Sequence, residues 1–97
     1  MGLFDFLKKE KDIILGVEFP MFNGKKKWPG TEFRNTQTYK RKDFYYVQDL
    51  EKLNYYIGLI SSYGFCKVSD IKYIKNNSYI IVENKKDTLH IAFHVNK

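Results

Sequence analysis

Residues 88–95, Thr88-Leu89-His90-Ile91-Ala92-Phe93-His94-Val95, spell TLHIAFHV. On a helix, His90 and His94 would share one side and look like a metal pair. On a strand they stand about 13 Å apart, too far to share an ion ligated at about 2.0–2.1 Å. The alternation decides for a strand. Leu89, Ile91, Phe93 and Val95 project one way, and His90, Ala92 and His94 the other. The two histidines are therefore expected on the outer face of the last strand. No Cys, Asp or Glu cluster offers the missing ligands at metal-site spacing, so no metal is expected.

Working outward, Asn84-Lys85-Lys86-Asp87 and Asn76-Asn77 read as turns, with further strands near 78–84 and 65–75. Short connections between three consecutive strands predict an antiparallel meander. Ahead of it, Asp49 to Tyr63 has helical periodicity. Leu50, Leu53, Tyr56, Ile57, Ile60 and Tyr63 fall on one side; Glu51, Asn54, Gly58, Ser61 and Ser62 line the other. Asp49 can cap its start, and Gly64 stands where a left-handed residue is wanted after its end. Nearer the N-terminus, Ile13, Leu15, Val17 and Phe19 alternate with Ile14, Gly16 and Glu18, which predicts a strand ended by Pro20 and Asn23-Gly24. Met1 to Asp12 reads as an amphipathic helix with Leu3, Phe4, Phe6 and Leu7 in one arc. Its apolar side is expected to pack on the domain, in preference to a membrane surface. The chain is thus expected to be α+β: one two-layer domain over residues 1–97, with the C-terminal meander and the N-terminal strand covered by the central helix.

The length of 97 residues suits one domain with a real core. A hydrophobic content of 43% is that of a globular chain. No apolar run approaches the about 20 residues that span a bilayer, and no secretory leader is expected. The single cysteine, Cys66, cannot form an internal disulfide, which fits a reducing cytoplasm.

The net charge of +6 is concentrated in one segment. Residues 25–42 carry Lys25, Lys26, Lys27, Arg34, Lys40, Arg41 and Lys42 against Glu32, while the rest of the chain balances. AT-rich codon usage would push any chain toward many lysines, as toward the abundant Asn, Ile, Tyr and Phe. It does not explain the segregation of the charge. Within the basic loop and edge segment 23–42, Trp28-Pro29-Gly30-Thr31 fits a type II turn. Phe33 to Lys42 reads as an exposed edge strand.

Catalytic patterns are not found. There is no Gly-x-Ser-x-Gly elbow, phosphate loop or cofactor motif. Cys66 follows a helix C-terminus, whose dipole disfavours a thiolate. A non-enzymatic binding protein without a cofactor is the expectation, acting through the basic and aromatic segment 25–46. The candidate contacts are Lys25, Lys26, Lys27, Trp28, Arg34, Tyr39, Lys40, Arg41 and Lys42. An acidic protein is the favoured partner, with Trp28 and tyrosine as anchors. Such a chain would serve as an inhibitor or accessory protein of a bacterium or mobile element, by analogy with other small AT-rich products. The first alternative is a nucleic acid held with little sequence preference, because cations interleave with rings that can stack on bases and only two arginines are present. The second is that the lysines keep a sheet edge from pairing with other chains.

Overall fold

The decisive stretch is a strand. In the computed structural model, which describes residues 11–28 and 30–97, the last strand runs Thr88–Asn96. In chain order the elements are β1 (Lys11–Ile14), β2 (Val17–Pro20), β3 (Glu32–Asn35), β4 (Tyr39–Val47), α1 (Leu50–Ser62), β5 (Cys66–Lys67), β6 (Lys72–Lys75), β7 (Ser78–Lys85) and β8 (Thr88–Asn96). Six strands form an antiparallel sheet in the order β3-β4-β8-β7-β6-β5, and β1 and β2 form a separate hairpin. The α+β class, the C-terminal meander and the helix packed into the core are as expected. The expected helix over 1–12 lies outside the described residues, except that Lys11 and Asp12 belong to β1.

One face of the sheet carries the core. Leu89, Ile91, Phe93 and Val95 of β8 stand in register with Tyr46, Phe44, Lys42 and Lys40 of β4, and Ile80 and Val82 of β7 face Phe93 and Ile91. Leu53, Tyr56 and Ile60 of α1 are buried in the same cluster, together with Ile14 and Phe19 of the hairpin. Phe19 meets Phe93 at 5.1 Å and Phe65 at 5.5 Å between ring centres, and Phe22 meets Tyr46 edge-on at 4.8 Å. Side chains of this size contribute about 1.5–3 kcal/mol each when fully buried. The Tyr56 hydroxyl donates to Pro20 O at 2.6 Å, tying the helix to the hairpin.

The helix is bounded as its sequence demands. Asp49 is extended (φ −154°) and its Oδ1 accepts from Lys52 N at 3.2 Å. Gly64 takes φ +90° after the last turn. Leu50 is the exception on the expected apolar side. It sits in the first turn, exposed and beyond the reach of the core.

Three expected strands are each divided by a turn. Residues 13–19 form a hairpin, because Leu15 and Gly16 adopt φ of 49° and 80°, the pattern of a type I′ turn. The turn shifts the alternation: Ile14 is buried while Ile13 is 59% exposed and Leu15 44%. Residues 33–42 are split at Thr36, whose Oγ1 accepts from Thr38 N and Tyr39 N. Of these two pieces only β3 is an edge strand; β4 lies inside the sheet. Residues 65–75 are split between β5 and β6, where Ser69 Oγ accepts from Ile71 N at 3.3 Å. The turn at Asn76-Asn77 is as expected, with Asn76 at φ 56°.

Candidate interaction surface

Lys25–Lys27 lie along the part of β4 that β3 leaves unpaired. Lys26 bridges Tyr46, Lys27 N donates to Tyr45 O at 2.9 Å, and Val47 N donates to Lys25 O at 2.8 Å. The same edge resumes at Glu32, opposite Asp43. Five residues, 27–31, thus stand against two of β4, so the chain leaves the edge after Lys27 and rejoins it at Glu32. The type II turn expected over 28–31 turns on Pro29, which lies outside the described residues.

Paired residues of an antiparallel ladder share a face. Lys25, Lys27, Arg34, Tyr39 and Arg41 therefore project to the outer face, away from α1. Lys26, Lys40 and Lys42 project to the core side. The nine candidate residues do not form one surface. Three of their cations are held by carboxylates: Lys27 by Asp87 at 2.9 Å, Arg41 by Asp43 at 2.9 Å, and Lys42 by Asp12 at 2.9 Å. Two more lie over rings, Lys26 over Phe44 and Lys40 over Phe33, each 5.3 Å from the ring centre. Among the described residues, Lys25 and Arg34 have no carboxylate within ion-pair distance.

The outer face carries stacked rings. His94 of β8 is sandwiched between Tyr79 (4.3 Å) and Tyr39 (4.7 Å), and Lys72 caps the far side of Tyr79 at 4.3 Å. The His94 geometry fits hydrogen on Nε2, which meets Asn96 Oδ1 at 2.9 Å, since the buried Nδ1 has no partner. Beside this row, His90 stacks on Tyr45 at 4.7 Å with planes 9° apart. Its Nε2 donates to Asp43 Oδ2 at 2.8 Å, and its Nδ1 lies 3.9 Å from Glu83 Oε1. Asp43 also accepts two bonds from Arg41, at 2.9 and 3.0 Å. Burial alone would raise the Asp43 carboxyl. The bonds from His90 and Arg41 outweigh it and hold that carboxyl down to about 2.

At the end of this network is an open corner. Tyr45 OH donates to Glu32 Oε1 at 2.9 Å. Burial, then this carboxylate, raises the Tyr45 phenol above its ordinary range. Trp28, 53% exposed, borders the same corner. Together with Gly30 and Thr31 these residues line a shallow pocket of about 380 Å³. A second depression of about 450 Å³ runs between α1 and residues 21–23, lined by Met21, Phe22, Tyr55, Leu59 and Tyr63 among others. It lies on the other layer, apart from this network.

Sequence reasoning found Trp28 and missed Glu32, Asp43, Tyr45 and His90. The spacing Arg41-x-Asp43-x-Tyr45 was the available signal, because residues two apart on a strand share a face. His90 and His94 do occupy the outer face, though packed among tyrosines. Among the described residues, no group of three His, Cys, Asp or Glu side chains is placed to hold a metal ion. None of the described helices is long and apolar enough to cross a membrane. No family model, curated protein or solved structure matches this chain.

Proposed function

We propose that this chain is a small, basic, non-enzymatic binding protein that docks an acidic protein partner on the Trp28 corner of its sheet. One observation carries the reading: a half-exposed indole borders an open pocket at a sheet edge, on a face where Lys25 and Arg34 have no carboxylate partner among the described residues. Tryptophan is enriched among the residues that dominate binding energy. Unneutralised cations around it would steer an acidic surface into place. A nucleic-acid surface is less well supported. Tyr39 and Tyr45 turn ring faces toward His94 and His90, and base stacking needs open faces. A reducing cytoplasm fits the free, exposed thiol of Cys66.

Protection of a sheet edge is a second reading with its own support, since Lys25–Lys27 line the edge of β4. The variants separate the two. Trp28→Ala is expected to reduce capture of one acidic protein by the immobilised chain at least thirtyfold, the loss of about 2 kcal/mol that marks a binding hot spot. Lys25→Glu with Arg34→Glu should weaken capture most at low salt. Labelled DNA and RNA, followed by anisotropy across a salt series, should bind weakly and indifferently to Trp28→Ala. If neither variant changes capture and replacing Lys25, Lys26 and Lys27 by Ser makes the chain associate into larger species, edge protection is the role.

A further inference from the structure

The corner pocket combines two kinds of wall. Trp28 and Tyr45 supply aromatic surface, and Glu32 supplies the one carboxylate of the basic segment. That carboxylate is mounted on a relay: Arg41 grips Asp43, Asp43 anchors His90, His90 stacks on Tyr45, and the Tyr45 hydroxyl holds Glu32 Oε1. Packing and hydrogen bonds of this sort keep a binding group in position before the ligand arrives. Aromatic walls beside a fixed carboxylate favour a cation. The segment's own cations do not supply it. Lys27 is drawn to Asp87 and Arg41 to Asp43, and among the described residues no cation pairs with Glu32. With Lys27 and Arg41 paired, Lys25 and Arg34 are the cations of this face that a further positive charge would meet.

We propose that this pocket receives one arginine side chain of the docking partner, with its guanidinium against Trp28 and its N–H groups donating to Glu32. Arginine fits better than lysine, because a planar, weakly hydrated guanidinium both stacks and hydrogen-bonds a carboxylate. The inference rests on reading the corner as a protein-docking surface. The partner's overall acidity would supply long-range attraction to a +6 chain, and the arginine a local anchor. Arg34, opposite Arg41 on the same face, opposes the incoming cation.

Trp28 is the only tryptophan, so its fluorescence reports directly on the pocket. The full chain is titrated with N-acetylarginine amide, with its neutral citrulline counterpart, and with guanosine monophosphate. A saturable change with the arginine compound is expected, at least tenfold weaker with citrulline. Glu32→Gln, which keeps an acceptor for Tyr45, should weaken it at least tenfold, and Arg34→Gln should strengthen it at least twofold. Equal response to arginine and citrulline would overturn the proposal, as would no effect of Glu32→Gln. A stronger response to the nucleotide would make the pocket a base site and overturn it too. So would no saturable response while acrylamide quenches Trp28 freely. If capture of an acidic protein still depends on Trp28 when the arginine titration fails, only the occupant is wrong. If both fail, the docking reading falls with it.

Discussion

Asp43 is the residue on which the outer face is organised. It is 6% exposed and receives bonds from Arg41 on its own strand and His90 on the next. Asp43→Asn would leave the Arg41 charge without its counter-ion, and should cost about 2–3 kcal/mol in urea unfolding at neutral pH. The acid limb of stability has a definite sign. The carboxyl is held at about 2 when folded, against about 3.9 unfolded. Its contribution is therefore complete above about pH 4 and is lost as pH falls toward 2. Stability measured at steps across that interval should fall less steeply in Asp43→Asn than in the parent. Trp28→Ala, by contrast, removes an exposed ring and should change the urea midpoint by less than about 0.5 kcal/mol in equivalent stability. That contrast separates a residue that builds the face from the one proposed to bind through it.

Among the elements, the hairpin β1–β2 holds the clearest strain. Leu15 is a non-glycine residue at φ 49°, in the first central position of a tight turn, where asparagine is the favoured side chain. Leu15→Asn should stabilise by about 0.5–1 kcal/mol and raise the thermal midpoint by a few degrees. No midpoint change in differential scanning fluorimetry would count against the turn as described. At the other element, Asp49→Ala should cost about 1 kcal/mol through loss of the bond to Lys52 N. Much of this level was legible. The helix from Leu50 to Ser62 and strands β7 and β8 follow the expected limits closely, because period and caps agree there. The divided strands were not legible for a physical reason. Leu15-Gly16 turns the chain through backbone conformation while its flanking residues continue to alternate as one strand would, and Thr36 and Ser69 turn it through bonds to a single hydroxyl within polar stretches.

At the scale of the whole molecule, charge segregation in the sequence located the edge of the sheet but not the face that matters. The cations of residues 25–42 divide between both sides of β4, since neighbours on a strand point in opposite directions. Asp12 and Asp87, distant in sequence, neutralise two of them, and no local pattern could have announced those partners. Trp28 was legible because it is a lone indole between cations; Glu32 and Tyr45 were not, because their pairing depends on the register of β3 with β4. An acidic protein docked at this corner would lie within reach of Thr31. The most direct measurement places a photo-crosslinking phenylalanine analogue at Thr31, on the pocket wall, and another at Tyr55, on the exposed side of α1. Both are irradiated in lysate of the source cell. One acidic protein is expected to be joined at position 31, absent at position 55, and lost when Trp28→Ala is added. An adduct at position 55 alone, or nucleic acid joined at position 31, would contradict it.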